Sequence, residues 1–357
     1  MVRFCNAAVL PGLAAAMFLV GSMGSVQAAD PLPKVRVGEV RLAYTSDSHN
    51  AFTDLCKFQG RYYLTFRTCP DGHAVNPTSH ILVLVSDDTK EWKEAFRFHV
   101  PQRDVRDPHF LIFRDKLFIY SGCWLAPRQD EAREFSEHLG FAVWTEDGQK
   151  WHGPQALEGT YGHYIWRATA SDDKAYLCAR RKRDFVPTAT RAERDQVVQS
   201  ALLESEDGLI WKFAGIMQSD RGNETALLLE PDGTMLAVAR GSSGQLAQVC
   251  RSQPPYRDFS RVEMNRNVGG PLLVRWNDHL LVGGRKTVDG DPKTALYWLS
   301  GDKLHEFAVL PSGGDNSYPG FVQLDEKRAL LSYYSSHQGD GDPKTRAAIY
   351  LVELELE

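Results

Sequence analysis

The sequence feature that most restricts the fold is a pair of short apolar segments joined by a polar turn, which occurs six times. In the first copy, Ala51-Phe-Thr-Asp-Leu-Cys-Lys-Phe58 is followed by a turn and by Arg61-Tyr-Tyr-Leu-Thr-Phe-Arg67. β-Branched and aromatic residues flank turns rich in Asn, Asp and Gly, which is typical of β-hairpins. Later copies begin near residues 107, 165, 224, 271 and 318, roughly 46 to 60 residues apart. A repeat of this length predicts an all-β array of similar units.

A second motif recurs between the hairpins. It reads Ser86-Asp-Asp-Thr-Lys-Glu-Trp92, Thr145-Glu-Asp-Gly-Gln-Lys-Trp151 and Ser205-Glu-Asp-Gly-Leu-Ile-Trp211. Each copy has a hydroxyl residue, an Asp two positions later and a Trp six positions later. The short polar side chains can bond the backbone of their own turn, and the Trp can hold that turn against a sheet. We interpret these turns as structural links between the third and fourth strands of a unit.

Six units of four strands predict a six-bladed β-propeller with four-stranded antiparallel blades. A five-bladed or seven-bladed ring is the alternative. The last unit shows only three strands, the third being Ala348-Ile-Tyr-Leu-Val-Glu-Leu. We expect the N-terminal segment 39–44 to supply the missing strand, because pairing of the two chain ends would close the ring and remove open sheet edges.

The first 28 residues have the pattern of a secretory signal peptide. Arg3 gives a positive start, residues 7–20 are apolar, and Val-Gln-Ala precedes a cleavage point near Ala28. The alternative, a membrane anchor, is weaker because proline and glycine interrupt the apolar run, and no later segment is long and apolar enough to span a membrane. The sequence therefore predicts a secreted or periplasmic protein with a single propeller domain at 29–357.

Charge and cysteine usage exclude several classes of function. The chain has 46 acidic and 41 basic residues, a formal charge of −5 and no long basic run, so we expect no nucleic-acid partner. Five cysteines follow the signal segment, and none has the spacing of a zinc site with His or Cys. Cys56 and Cys69 flank a hairpin that would place Cys56 opposite residue 63, so we expect free, buried thiols. The sequence predicts no metal and no cofactor, and it does not indicate an oligomeric state.

In a propeller, first-strand starts and second-strand ends meet at one mouth of the central axis. The candidate residues at first strands are Asp54, Arg106, Asp107, Trp166, Arg167, Glu224 and Tyr318. Those at second-strand ends are Arg67, Arg240 and Arg285. Arginines from several blades with a few carboxylates suit an anionic ligand, since a guanidinium forms bidentate bonds to carboxylate or sulfate.

Two segments and the repeated turns resemble those of sialidases. Asn223-Glu-Thr-Ala-Leu-Leu-Leu-Glu-Pro-Asp-Gly-Thr-Met-Leu-Ala-Val-Ala-Arg240 resembles the hairpin that carries a glutamate and an arginine of the carboxylate-binding triad. Asn316-Ser-Tyr-Pro-Gly-Phe-Val-Gln-Leu324 resembles the segment of the nucleophilic tyrosine, and the repeated turns resemble Asp-boxes. The resemblance implies a secreted glycoside hydrolase that removes a terminal, acidic sugar from glycans.

The resemblance also implies roles for individual residues. Tyr318 would be the nucleophile and Glu224 the base that takes its proton, because a neutral phenol is not repelled by the carboxylate of an acidic sugar. Arg240 would hold that acidic group together with Arg285 or, as the less favoured alternative, Lys293. Leaving-group protonation would fall to Asp71 or His73, in the loop after the first hairpin.

The sequence departs from the family at its first blade. Sialidases carry an arginine there, whereas this chain has Asn50-Ala-Phe-Thr-Asp54. His49, beside the lost arginine, is a further candidate for the site. The departure leaves two other functions open on the same scaffold: a polysaccharide lyase acting on uronates, and a non-catalytic glycan-binding propeller.

Overall fold

The structure is a computed structural model that describes residues 31–127, 134–242, 244–338 and 346–357. The predicted signal peptide, residues 1–28, lies outside the described residues. The fold is all-β, a six-bladed β-propeller whose blades are four-stranded antiparallel sheets, and it confirms the predicted fold class.

The strands follow one another blade by blade. Two short strands come first, β1 (Val35–Val37) and β2 (Arg41–Tyr44). The first blade contains β3 (His49–Phe58), β4 (Arg61–Cys69), β5 (His80–Ser86) and β6 (Lys93–Phe98). The second contains β7 (Arg103–Phe113), β8 (Lys116–Leu125), β9 (Leu139–Thr145) and β10 (Trp151–Ala156). The third contains β11 (His163–Ala170), β12 (Ala175–Lys182), β13 (Val198–Ser205) and β14 (Lys212–Gln218).

The second half of the ring repeats the pattern. The fourth blade contains β15 (Thr225–Leu229), β16 (Met235–Ala239), β17 (Gln248–Ser252) and β18 (Ser260–Glu263). The fifth contains β19 (Gly269–Trp276), β20 (His279–Val288), β21 (Asp291–Ser300) and β22 (Lys303–Val309). The sixth contains β23 (Asn316–Gln323), β24 (Arg328–Ser335) and β25 (Ala348–Leu356). The helical segments are α1 (Arg191–Val197) and the 3-10 turns Phe135–Glu137 and Arg183–Phe185.

The N-terminal strands complete the sixth blade. Both β1 and β2 pair antiparallel with β25, at its C-terminal and N-terminal ends respectively. The expected strand at residues 39–44 is therefore present as β2, and β1 extends the same edge. The two ends of the described chain thus share one sheet, which closes the ring.

Neighbouring blades are held together by buried apolar side chains of their strands. Val83, Ile119 and Val143 belong to a buried cluster that joins the first two blades. Full burial of a side chain of this size contributes about 1.5–3 kcal/mol. The five cysteines at 56, 69, 123, 178 and 250 are free, and Cys56 pairs with Tyr63 across its hairpin, as expected.

The repeated turns join third to fourth strands, as predicted. In the second blade, Thr145 Oγ1 accepts a hydrogen bond from the Gly148 amide at 2.9 Å. Asp147 Oδ1 accepts from the amides of Gln149 and Lys150, both at 2.8 Å. The copies at Ser86 and Ser205 have the same bonds. These side chains accept hydrogen bonds from the backbone amides of their own turns, which lie at the end of the blade away from the mouth.

Five of the six innermost strands contain a β-bulge near their start. Phe52, Asp107 and Tyr318 lie in these bulges with φ of 62°, 51° and 52°. A positive φ is uncommon outside glycine, and a bulge turns a side chain away from its regular direction. The bulges therefore direct side chains from several blades into the mouth. Within the described residues, no helix is both long and apolar enough to cross a membrane.

Candidate functional site

Tyr318 and Glu224 meet at the mouth although they are 94 positions apart in the sequence. Glu224 directly precedes β15 in the fourth blade, and Tyr318 lies in the bulge of β23 in the sixth. The Tyr318 hydroxyl donates a hydrogen bond of 2.8 Å to Glu224 Oε1. Both side chains are largely buried, with Tyr318 7% exposed. The ring closure thus creates a phenol–carboxylate pair at the axis.

The second oxygen of Glu224 is also bound. Arg240 Nη1 donates to Glu224 Oε2 at 2.7 Å, and the Gly270 amide donates to the same oxygen at 3.0 Å. Burial alone would raise the pKa of Glu224, but the charge of Arg240 and the hydrogen bonds from Arg240 and Tyr318 outweigh burial and hold this pKa below its usual value. Burial, and then the charge of Glu224, raise the pKa of Tyr318 well above its ordinary value. The pair is therefore a neutral phenol bound to an ionised carboxylate, which can accept the phenol proton.

Three arginines from consecutive blades surround this pair. Arg285 stacks over the Tyr318 ring at 5.5 Å, and Arg180 lies between the rings of Phe135 and Tyr164 at 5.0 and 5.5 Å. Burial lowers the pKa of Arg180, against the opposing charge of nearby Glu224. The buried Nε atoms of Arg180 and Arg240 have no hydrogen-bond partner among the described residues. Unused charged donors in a buried position suit an anionic ligand.

Beside these arginines, two histidines and an aspartate converge at the junction of the first and sixth blades. His49 Nε2 lies 2.9 Å and His73 Nδ1 2.7 Å from Asp315 Oδ2. Arg285 and Tyr334 donate to Asp315 Oδ1 at 3.1 and 3.0 Å. The three potential ligand atoms lie within 4.8 Å of one another, so this group could hold a metal ion.

The two candidates for the acid lie differently in their loop. The His73 side chain is 43% exposed, and its ring lies 5.8 Å from that of Phe52, which contacts the Tyr318 ring at 5.0 Å. Asp71 instead accepts a hydrogen bond from Thr78 within the loop, at 2.5 Å. His73 therefore lies next to the Phe52–Tyr318 contact at the mouth, and Asp71 is engaged with its own loop.

Arg67 and Arg106 hold this loop in place. Arg67 is fully buried and donates to Asp104 at 2.9 Å and to the carbonyls of Gly72 and Ala74 at 3.1 and 3.0 Å. Arg106 donates to Asp104 and to the carbonyls of His73 and Ala74. Arg67 and Arg106 were predicted to bind a ligand. Their guanidinium groups instead bind Asp104 and the backbone of the His73 loop, and they thereby position His73.

Asp107 has an unusual environment. Its side chain is 5% exposed and accepts a hydrogen bond from the Tyr164 hydroxyl, while its buried Oδ1 has no partner among the described residues. Burial raises the pKa of Asp107 to about 7, although the charge of Arg106 opposes the rise. The carboxyl can therefore be neutral near neutral pH, when it can donate a hydrogen bond.

Asp54, Arg167 and Trp166 form the floor beneath Tyr318. Arg167 donates to Asp54 Oδ1 at 3.2 Å and to the carbonyls of Pro271 and Pro319 at 2.9 and 2.5 Å. Trp166 is 2% exposed, and its ring lies 5.4 Å from that of Tyr318. Their contacts link blades across the axis and support the nucleophile candidate from below.

Arg180 and Asp315 were not among the site residues predicted from the sequence. Arg180 occupies the same place near the end of its second strand as Arg240 and Arg285 occupy in theirs, so the strand-end rule applied to the third blade would have found it. Asp315 has no such signal, because it lies just before a strand and only the fold brings it to His49 and His73.

A separate cleft of about 730 Å³ lies between the outer strands of the third and fourth blades, with Lys174, Glu204 and Arg261 in its lining. It contains none of the residues singled out from the sequence. The mouth, where the paired phenol and carboxylate meet unpartnered arginine donors, is therefore the candidate site.

Comparison with known proteins supports the fold. No family model matches this sequence, and no curated protein matches it either. A protein of unknown function from Dyadobacter fermentans has a similar structure, with a TM-score of 0.76 and 22% identity over 91% of this chain and 100% of the other. Trypanosoma rangeli sialidase in complex with the inhibitor DANA gives a TM-score of 0.62 and 15% identity over 85% of this chain and 55% of the sialidase. Phage phi92 endosialidase gives a TM-score of 0.64 and 10% identity over 90% of this chain and 69% of the endosialidase.

Proposed function

We propose that this protein is a sialidase-like exo-glycoside hydrolase that removes a terminal, acidic sugar from a glycan. The observation that carries the proposal is the hydrogen bond from Tyr318 to Glu224, whose other oxygen is held by Arg240. As the phenol oxygen attacks the anomeric carbon, its proton passes to Glu224, the glycosidic bond breaks with protonation of the leaving oxygen, and a glycosyl–tyrosine intermediate forms. Water then attacks the anomeric carbon and loses a proton to the acid residue of the first step, while the proton on Glu224 returns to the Tyr318 oxygen as its bond to the sugar breaks.

The anionic group of the sugar would be bound by Arg180, Arg240 and Arg285. The first-blade arginine of sialidases is absent, and Arg180 brings a third guanidinium from another blade. The unpartnered Nε donors of Arg180 and Arg240 support this assignment. Because one of the three arginines would come from a different blade than in sialidases, the carboxylate of the sugar would be held in a different position. The preferred acidic sugar can therefore differ from sialic acid.

Protonation of the leaving oxygen would come from His73. Its position beside the pocket and its exposure favour it over Asp71, which is bound within its loop. Asp107, as a neutral carboxyl, would donate a hydrogen bond to the bound sugar. Secretion or export to the periplasm, through the predicted signal peptide, would bring the enzyme to extracellular glycans.

The test is a screen of wild-type protein and Tyr318→Phe against aryl glycosides and acidic oligosaccharides, with product masses measured. We expect the variant to lose at least about 10³-fold in kcat. Tyr333→Phe is the matched control, since this buried tyrosine of the same blade donates its hydroxyl hydrogen bond to the Pro311 carbonyl, at 2.8 Å, and should retain activity. Full activity of Tyr318→Phe would refute the mechanism. A product that absorbs in the ultraviolet would indicate a lyase, and saturable binding without turnover would indicate a glycan-binding propeller.

A further inference from the structure

We propose that His49, His73 and Asp315 form a binding site for a divalent transition-metal ion, with Zn²⁺ as the expected ion. The residues come from the start of β3, the loop between β4 and β5, and the residue before β23. The proposal concerns ion binding and is tested without glycosidase activity, although an ion at His73 Nδ1 would compete with the proton-donor role proposed for the same residue. Two imidazoles and one carboxylate are a ligand set that suits zinc and related metals and disfavours Ca²⁺ and Mg²⁺.

The distances fit an ion after a small adjustment. His49 Nε2 and His73 Nδ1 lie 2.9 and 2.7 Å from Asp315 Oδ2, and all three atoms lie within 4.8 Å of one another. Zinc bonds of about 2.0–2.2 Å in a tetrahedron separate ligand atoms by about 3.3 Å. Each nitrogen therefore needs to move a few tenths of an ångström farther from the oxygen. Rotation of the half-buried His73 ring can supply this for its Nδ1, and a slight turn of the Asp315 carboxylate can supply it for His49 Nε2.

The hydrogen bonding of the group is incomplete without an ion. His73 Nδ1 is buried and is close to Asp315, yet it forms no hydrogen bond of acceptable geometry with a described residue. His49 is 0% exposed, and its Nδ1 is also buried without a hydrogen-bond partner among the described residues. An ion between the three atoms would replace the hydrogen bond of 2.9 Å between His49 Nε2 and Asp315 Oδ2 and would give His73 Nδ1 a partner.

The surrounding residues hold the ligands in position. Arg285 and Tyr334 bind Asp315 Oδ1, so that Oδ2 faces only the two histidines among these contacts. Arg67 and Arg106 fix the loop of His73 through its backbone carbonyls. Such outer contacts orient the ligands of metal sites. The positive charge of Arg285 opposes cation binding, but its guanidinium contacts Asp315 Oδ1, whereas the proposed ligand atom is Oδ2.

Three protein ligands leave at least one coordination position open. The 43% exposure of His73 and its contact with Phe52 place that position toward the Tyr318 pocket. An open position is a feature of zinc sites that bind water or a ligand oxygen, whereas structural zinc sites have four protein ligands. The expected further ligand is thus an oxygen atom of a molecule bound in the mouth.

The experiment is titration calorimetry on chelator-treated protein without an affinity tag, using ZnCl₂ as the probe. We expect one Zn²⁺ per chain, and no binding of Mg²⁺ or Ca²⁺ at the same site. His73→Ala and Asp315→Asn should each weaken binding by more than about 100-fold, beyond the effect of losing an outer contact. Cobalt(II) should give visible absorption in the wild type that is lost in His73→Ala.

His80→Ala is the control, because the rings of His80 and His99 lie 5.1 Å apart on the surface of the first blade and could bind zinc adventitiously. It should leave the stoichiometry and affinity unchanged. No binding by the wild type would overturn the proposal, as would binding that survives His73→Ala or disappears in His80→Ala. If Asp315→Asn does not fold, the result for His73→Ala decides the test. Circular dichroism checks that the His73→Ala variant is folded.

Discussion

Glu224 connects the phenol to the arginines, so its charge is the property of the site that a substitution can test most directly. Glu224→Gln keeps the size of the side chain and can still accept the hydrogen bond from Tyr318, but it cannot take the proton. We expect a 10²–10⁴-fold fall in kcat. Glu230→Gln, on the other end of the same hairpin and paired with Arg275, is the matched control and should retain activity. Equal kinetics for wild type and Glu224→Gln would exclude this carboxylate as the base.

Asp107 predicts a specific pH dependence of stability. Its pKa is about 7 in the folded protein and near 3.9 in the unfolded chain, so folding favours the protonated form. The contribution is fully present below about pH 4 and is lost as the pH rises through 7. Relative to Asp107→Asn, the wild type should lose on the order of 1–3 kcal/mol between pH 4.5 and 7.5.

Urea unfolding at a series of pH values measures this effect. Asp278→Asn, in an exposed turn of the fifth blade, serves as the control and should follow the wild type. The same pH slope in wild type and Asp107→Asn would show that Asp107 does not titrate as the structure indicates.

The sequence identified Tyr318, Glu224, Arg240 and Arg285 as neighbours because strand ends of a propeller meet at the axis. The same rule also selected Arg67 and Arg106, whose guanidiniums bind Asp104 and loop carbonyls instead. The position of a residue at a strand end predicts where its Cα lies in the propeller, but it does not predict which partner the side chain contacts. That choice depends on the path of the loop after β4, which carries no repeated pattern.

At the scale of the elements, the turn at Thr145 offers a test of the repeated motif. Thr145 is fully buried, and its hydroxyl accepts from the Gly148 amide at 2.9 Å. Thr145→Val keeps the shape of the side chain but leaves that buried amide without a partner, which costs about 1–3 kcal/mol. Urea unfolding should show this loss without a change in catalytic activity. Glu146→Gln, an exposed change in the same turn, should be nearly neutral, and equal stability of all three proteins would argue against a structural role.

Hairpins and turns were predictable from the sequence, whereas the bulges were not. A short apolar segment beside a polar turn identifies a strand, and one additional residue near the strand start barely alters that pattern. A signal exists in hindsight: proline follows Asp107, Gly270 and Tyr318, and proline within a strand is confined to edges and bulges. The bulges determine where Asp107 and Tyr318 point, so the exact composition of the mouth required the structure.

At the scale of the whole molecule, ring closure links stability to the site, because β25 joins both chain ends in one blade. A protein starting at residue 33 keeps β1 and β2, while one starting at residue 45 loses both. The longer form should match the full chain. The shorter form loses every backbone pair of β1 and β2 with β25 and leaves an open sheet edge, which promotes self-association.

We expect the shorter form to be less stable by at least about 2 kcal/mol, from the lost hydrogen bonds and apolar burial, and to form higher oligomers in light scattering. Its activity should fall as well, because the sixth blade carries Tyr318 and meets the first blade at His49 and Asp315. A shorter form that is monomeric and as stable as the longer one would mean that the inner blade contacts close the ring without these strands. In that case the position of Tyr318 would depend only on the packing of β23 against β3 and β19.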